Sequence, residues 1–164
     1  MSHSASGVPA LPIVITDLLA TPHPVALGSG APALALRDRI AQAAALVSAP
    51  CAAGLWLRFD FLDAAHEIAQ RNEGDADHNI WHAIVHRREP DAWNAKYWWR
   101  RVGAHPVLAD LRRRAPDVGY AYTTPEAFVD FCEQARDTGT ADEDTAKRVQ
   151  QLEWGLLFAH CAAK

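Results

Sequence analysis

Residues 77–103 read DHNIWHAIVHRREPDAWNAKYWWRRVG, and they contain two adjacent helix patterns. Apolar residues recur three and four positions apart over 77–88, which predicts an amphipathic helix. Pro90 cannot continue that helix, and Asp91 is a residue type that favours the cap of a second helix over 92–102. Helices joined by such short turns pack as antiparallel neighbours in helical bundles.

The helical spacing continues outward from this stretch towards both ends of the chain. We predict further helices over residues 32–50, 54–71, 106–114, 125–139 and 142–161, with Pro50 and Gly139 as end points. The last of them is apolar nearly all round over 154–159, which predicts a buried central helix. Extended pieces are predicted only at 12–15 and 118–122. The sequence therefore predicts an all-α, compact bundle of six or seven helices.

The chain has 164 residues, of which 49% are apolar, so it is long enough for one domain with a substantial core. We expect residues 10–164 to form a single helical domain behind a flexible N-terminal lead of residues 1–9. No apolar run approaches the roughly 18 residues of a membrane-spanning helix. The net charge of −4 argues against general nucleic-acid binding, which needs a basic excess. We therefore expect neither a membrane nor a nucleic acid as a partner.

The three cysteines are widely spaced, at Cys51, Cys132 and Cys161. Their odd number and their spacing fit neither a disulfide framework nor a CxxC metal motif. Cys132 and Cys161 fall on apolar helix faces, where a free thiol behaves as a small hydrophobic group. No Lys or Arg precedes Arg37, so we expect no secretory signal. These features predict reduced thiols and a cytoplasmic protein.

Charge is distributed unevenly along the chain. Residues 87–114 hold eight basic and three acidic side chains, whereas 60–77 hold six acids and one Arg, and 117–153 hold nine acids and three bases. One interpretation is that these segments pack together and neutralise one another. The other interpretation is that the basic segment forms a pocket wall for an anionic ligand.

Histidine occurs at every fourth position of the helix predicted over 77–88, at His78, His82 and His86. Residues four apart share a helix face, so His82 and His86 could bind one divalent transition metal. His66 occupies a core-facing position of the preceding helix and could be the third ligand. Glu89, three residues after His86, could orient a ligand. His78 lies at the helix start, where we expect it to be exposed.

The histidine pattern is also compatible with a protein that binds no metal. The HxxxH spacing arises by chance in a chain with eight histidines, and a buried histidine that is hydrogen-bonded to an acid needs no metal. The sequence HEIAQ at residues 66–70 lacks the second histidine of HExxH, which excludes the zinc-peptidase motif. The sequence suggests no role for His3, His23 or His160.

The helix predicted over 92–102 mixes aromatic and cationic side chains on several faces. The polar and aromatic residues of this helix are Trp93, Asn94, Lys96, Tyr97, Trp98, Trp99, Arg100 and Arg101. Such a mixture suits a site in which cations hold an anion while a ring stacks on the ligand. It also suits cation–π packing between helices, and single-stranded nucleic-acid binding, which the acidic net charge disfavours.

The run from Trp81 to Val107 resembles a group of small bacterial proteins of unknown function that share the pattern WHxIxHRREPDxxNxKYWxRRVGxHP. Residues 151–158, QLEWGLLF, also resemble the C-terminal helix of that group, so the resemblance covers about a third of the chain. It implies a site rich in polar groups and no particular activity. The pairing of an HxxxH helix with one earlier histidine is similar to three-histidine helical bundles of the DinB type, in which the pair comes late in the chain.

The sequence predicts a small-molecule enzyme with a histidine-rich pocket that acts on a carboxylate or phosphate substrate. A divalent transition metal would be bound by His66, His82 and His86; without metal, His82 or His86 would be a general base near Glu89. The predicted catalytic residues are His82, His86, Glu89, Lys96 and Tyr97, and the predicted ligand-binding residues are Trp93, Asn94 and Arg100. In this hypothesis, Lys96 and Arg100 neutralise the substrate anion. The alternative is a non-catalytic module that binds an anionic aromatic ligand or a partner protein.

Overall fold

The structure is a computed structural model that describes residues 10–164, and the lead predicted at 1–9 lies outside the described residues. Within the described range the chain forms nine α-helices, two short 3-10 turns and no strand. The α-helices are α1 (Ile13–Leu19), α2 (Arg37–Ala44), α3 (Ala49–Arg58), α4 (Leu62–Ala69), α5 (Ala76–Arg88), α6 (Ala92–Val102), α7 (Pro106–Arg114), α8 (Pro125–Ala135) and α9 (Ala141–Ala162). The predicted all-α class is confirmed, with more helices than expected. None of these helices is long and apolar enough to cross a membrane.

Helix α5 lies at the centre of the bundle, in contact with α3, α4 and α6. Every residue from Asp77 to Arg88 is buried, so the polar side chains of this helix need partners inside the protein. The prediction that residues 154–159 form a buried central helix is wrong, because Gly155 and Ala159 are exposed. Gly155 and Ala159 help to make residues 154–159 apolar on all sides of the helix, but such small apolar residues do not have to be buried.

The helix predicted over 54–71 is two helices, α3 and α4, which are separated at Asp60. Asp60 has a φ of 66°, a left-handed conformation that a short polar residue tolerates better than most. Its carboxylate accepts hydrogen bonds from Arg88 of α5, from Nε2 of His23 at 2.8 Å and from the Ala31 N–H at 3.1 Å. The break therefore places a carboxylate against the buried guanidinium of Arg88.

Further differences from the predicted elements lie near the start of the chain. The helix predicted over 32–50 is shortened to α2, and Pro50 lies in the first turn of α3, a position that suits proline. The extended piece predicted at 12–15 belongs mostly to α1, and residues 118–122 form no strand. Helices α5 to α9 lie close to their predicted positions, although α8 ends before Gly139.

Helices α3 and α5 approach each other closely at Gly54. A Cβ atom at this position would lie 2.7 Å from Cζ2 of Trp81, a fully buried side chain of α5. The Gly54 carbonyl accepts a hydrogen bond from Nε1 of Trp154 at 2.8 Å, and Trp154 stacks on Phe158 with ring centroids 4.8 Å apart. Three helices, α3, α5 and α9, therefore meet around one aromatic cluster.

The charged segments of the sequence pair with one another, both in the core and at the surface. Arg87 of α5 forms a fully buried ion pair with Glu153 of α9, in which Nη1 lies 3.0 Å from Oε1. A second pair joins Lys96 of α6 to Asp130 of α8. Neutralisation within the fold therefore explains much of the uneven charge without a basic pocket wall.

Candidate metal centre

Three histidines from two helices bring their Nε2 atoms together. Nε2 of His82 lies 2.8 Å from Nε2 of His66 and 3.1 Å from Nε2 of His86. Two nitrogens that bind one ion at about 2.1 Å lie about 3.0 Å apart when the angle at the ion is a right angle, and about 3.4 Å apart in a tetrahedral site. His82 and His86 are one turn apart on α5, and α4 packs beside them and supplies His66. The three predicted ligand atoms therefore lie close enough together, all within 4.8 Å of one another, to bind a single metal ion.

Glu89, at the C-terminal end of α5, contacts the outer nitrogens of two of these rings. Its Oε1 lies 3.0 Å from Nδ1 of His66, and its Oε2 lies 3.0 Å from Nδ1 of His86. The first contact has hydrogen-bond geometry, whereas Nδ1 of His86 is close to the carboxylate without being aligned as a donor. A carboxylate on Nδ1 favours a proton there and leaves the lone pair on Nε2, as in many metal sites.

The protons of three neutral imidazoles cannot satisfy this arrangement. When Nδ1 of His66 and of His86 each carry a proton towards Glu89, only His82 has a proton left for the two Nε2 contacts. A proton on Nε2 of His82 can point at only one of the two facing lone pairs, and a proton on its Nδ1 leaves both contacts without a donor. Nδ1 of His82 is also buried without a hydrogen-bond partner among residues 10–164. A cation between the three Nε2 atoms would accept all three lone pairs, so the cluster could hold a metal ion.

The environment holds two of these rings in the neutral, ligand form. Burial and, to a smaller extent, the neighbouring His86 and His66 lower the pKa of His82 to about 3. Burial also lowers the pKa of His86, although Glu89 opposes that effect. Only the neutral imidazole binds a metal, so protons compete little for these two nitrogens near neutral pH.

The cluster is partly open to solvent. The side chains of His66 and Glu89 are each 27% exposed, whereas His82 and His86 are buried. Three protein ligands leave at least one coordination position for water, which is the pattern of catalytic rather than structural zinc sites. The arrangement could therefore hold a metal that still reaches small molecules.

Trp98 of α6 covers His82, and it was not among the predicted site residues. The two rings stack with centroids 4.0 Å apart and planes 29° apart. Trp98 shares its buried helix face with Ala95 and Val102. That i, i+3, i+7 pattern was the sequence signal that could have shown which side of α6 meets α5.

The structure does not bring Lys96 and Arg100 to the histidines. Each lies two residues from Trp98, which is about 200° around an α-helix. The ammonium of Lys96 pairs with Asp130 of α8, and Arg100 is exposed. The predicted pocket, in which these two cations neutralise an anion beside the metal, is therefore not formed.

The remaining predicted residues of α6 lie at the edge of the site or on the surface. The Asn94 side chain donates to Oδ2 of Asp91, and Asp91 in turn lies 3.9 Å from Nδ1 of His86. Tyr97 packs edge-on against Trp98, with ring centroids 5.3 Å apart. Trp93 is 71% exposed, with its ring parallel to that of Tyr97.

His78 does not join the cluster, and the expectation that it is exposed is wrong. His78 is buried, and its Nδ1 lies 2.6 Å from Oδ2 of Asp75, the residue that caps α5. The capping carboxylate thus accepts hydrogen bonds from a backbone N–H at the start of α5 and from this ring.

A second group of potential ligands was not predicted from the sequence. Nε2 of His105 and Nε2 of His160 lie 2.9 Å and 3.4 Å from Oδ1 of Asp77. Nδ1 of His105, however, accepts the N–H of Val107 at 3.2 Å, so a neutral His105 carries its proton on Nε2 and has no lone pair there for a metal. Lys164 also pairs with Asp77, at 2.6 Å. We therefore interpret this group as an ion-paired clasp between α5, α7 and α9.

No protein-family model, curated protein or solved structure matches this chain. The resemblance to the group of small bacterial proteins stays a prediction, and the function is inferred from the geometry of the site.

Proposed function

We propose that this protein is a metalloenzyme whose divalent transition metal is held by Nε2 of His66, His82 and His86. The observation that carries the proposal is the convergence of the three Nε2 atoms, at 2.8 and 3.1 Å, while Glu89 contacts the opposite nitrogens of two rings. Imidazole ligands suit zinc, copper, iron and nickel.

The chemistry follows from three neutral ligands and an open position. A metal held by these residues would polarise a water molecule and lower its pKa to about 7, which would support hydrolysis or hydration of a small molecule. Glu89 contacts the nitrogens that face away from the metal, so its role is to orient His66 and His86. The expectation of an anionic substrate rested on Lys96 and Arg100, and it loses that support because they point elsewhere.

Substitution with cobalt(II) tests both the ligands and the open position. We expect about one equivalent of cobalt(II) to give visible absorption typical of four- or five-coordination, and azide to change that spectrum by binding at the open position. His82→Ala should abolish the absorption, whereas His160→Gln, at the other histidine group, should leave it unchanged. A cobalt spectrum that survives in His82→Ala, or that azide does not alter, would contradict the proposal.

One observation favours a second candidate function, a binding module for an aromatic ligand or a partner protein. Trp93 and Tyr97 stack with planes 10° apart on the surface of α6, and large aromatic side chains exposed together are typical of interaction sites. Binding at this surface would be weakened by Trp93→Ala with no change in metal content. If the protein is instead an enzyme that uses only the metal centre, Trp93→Ala would leave its turnover unchanged.

A further inference from the structure

A separate cleft of about 300 Å³ lies on the side of α5 that is opposite to the histidines. Ile84 and Arg88 line it, and each is two residues from His86, which corresponds to about 200° around the helix. The metal centre and this cleft therefore use different faces of the same central helix.

The walls of the cleft are mostly apolar and are held in place. Asp60 also lines the cleft, but its carboxylate is paired with Arg88. Leu57, Ile84 and Trp154 line it from α3, α5 and α9, and the segment before α2 closes the remaining side. That segment is tied down where the Ala26 carbonyl accepts from Nε2 of Gln150 at 2.8 Å. The hydrogen bond from Trp154 to α3 holds the indole ring. Such preformed, mostly apolar clefts are typical of small-molecule sites.

Gly155 keeps one wall of the cleft free of a side chain. It lies inside the long helix α9, where glycine is less favourable than alanine. Gly54 is required by the close approach of Trp81, but a Cβ at Gly155 would meet no described atom within 4 Å. Packing against the rest of the protein therefore does not explain this glycine, and its missing side chain leaves room at the cleft wall.

Arg58 provides a cation at the cleft that lacks a counter-ion. Arg88 donates to two carbonyl oxygens and to Asp60, so its charge is compensated. The guanidinium of the half-buried Arg58, by contrast, donates to the His23 carbonyl at 3.3 Å and forms no ion pair within the described residues. Burial lowers the pKa of Arg58, whereas the negative charge of Asp60 acts to raise it. A partly desolvated guanidinium is stabilised when a carboxylate accepts its hydrogen bonds.

We propose that this cleft binds a small amphipathic monocarboxylate, with its apolar chain between Leu57, Ile84 and Trp154 and its carboxylate on Arg58. The volume suits a ligand of roughly ten to fifteen non-hydrogen atoms. The proposal does not depend on the metal centre, because the two sites share no lining residue.

Calorimetric titration with octanoate tests this proposal, in buffer that contains a chelator so that no metal contributes. We expect saturable binding of one octanoate per chain, and at least tenfold weaker binding of octan-1-ol, which has the same chain without the charge. Arg58→Gln should weaken octanoate at least tenfold and leave octan-1-ol unchanged. Absence of saturable octanoate binding, or equal octanoate affinity in Arg58→Gln, would overturn the proposal.

A cavity-filling variant tests the location of the bound chain. Gly155→Leu should abolish octanoate binding because its side chain enters the cleft, whereas Ala159→Leu, one turn later on α9 and also exposed, should bind octanoate like the unmodified protein. Circular dichroism would show that both variants retain their helices. Octanoate binding that survives in Gly155→Leu would place the ligand elsewhere and overturn the proposal.

Discussion

Glu89 is the residue that sets the chemistry of the histidine cluster. One carboxylate contacts Nδ1 of both His66 and His86, and it thereby favours lone pairs on the Nε2 atoms that face each other. The metal affinity should therefore depend on Glu89 even though this side chain is not itself a ligand.

We predict that Glu89→Gln lowers metal affinity by about 10- to 100-fold, the usual cost of losing such an outer carboxylate. Competition with a chelator of known affinity would measure this change. Asp63→Asn is the matched control, because it removes an exposed carboxylate from the first turn of α4. Equal effects of the two variants would show that only the net charge matters.

A second prediction concerns the buried pair of Arg87 and Glu153. Glu153→Gln leaves the guanidinium buried without a counter-ion, so we expect the free energy of unfolding to fall by about 3–5 kcal/mol in urea titrations. Glu67→Gln breaks an exposed i, i+4 pair with Arg71 and should change the stability little. Similar losses in both variants would contradict the importance assigned to the buried pair.

At the scale of the helices, the two glycines within α3 and α9 should respond in opposite directions to the same substitution. Gly54→Ala forces α3 away from Trp81 and should cost about 1–3 kcal/mol of stability. Gly155→Ala places a methyl group in open space and should stabilise the protein by about 1 kcal/mol. Thermal unfolding of both variants measures the signs, and a loss in Gly155→Ala would show that this position is not open.

The clasp around Asp77 makes the packing of α5, α7 and α9 depend on pH. Burial raises the pKa of Asp77, but hydrogen bonds from Lys164 and His105 outweigh burial and hold the pKa below its usual 3.8. A depressed pKa means that the stabilisation by Asp77 is present above the unfolded-state value and is lost as the pH falls. The difference in unfolding free energy between the unmodified protein and Asp77→Asn should therefore shrink between about pH 5 and pH 3. A constant difference over this range would contradict the role of the clasp.

The helices that the sequence predicted well are those with local signals. Asp91 and Pro106 mark the starts of α6 and α7, and the apolar spacing over 77–88 marks α5. The break between α3 and α4 has no local signal, because Asp60 leaves the helical conformation to meet Arg88, which lies on another helix. A continuous apolar stripe across that break therefore predicted one helix instead of two.

At the scale of the whole molecule, the clustering of the three histidines could be predicted and the surroundings of the site could not. His82 and His86 share a face by helix geometry alone, and His66 was placed on a core-facing position of the neighbouring helix. Which side of α6 meets α5 depends on packing, and this packing puts Trp98 rather than Lys96 at the histidines. For that reason, the anion-binding wall predicted from Lys96 and Arg100 is not formed.

The central claim, a metal bound by His66, His82 and His86, is tested most directly by the metal content of the untagged protein. Elemental mass spectrometry after loading with zinc, iron or nickel should find about one equivalent of one metal in the unmodified chain. The metal should be lost in the double variant His82→Ala/His86→Ala and kept in His105→Gln/His160→Gln, which changes the clasp instead. Absence of metal from the unmodified protein, or its retention in His82→Ala/His86→Ala, would contradict the claim.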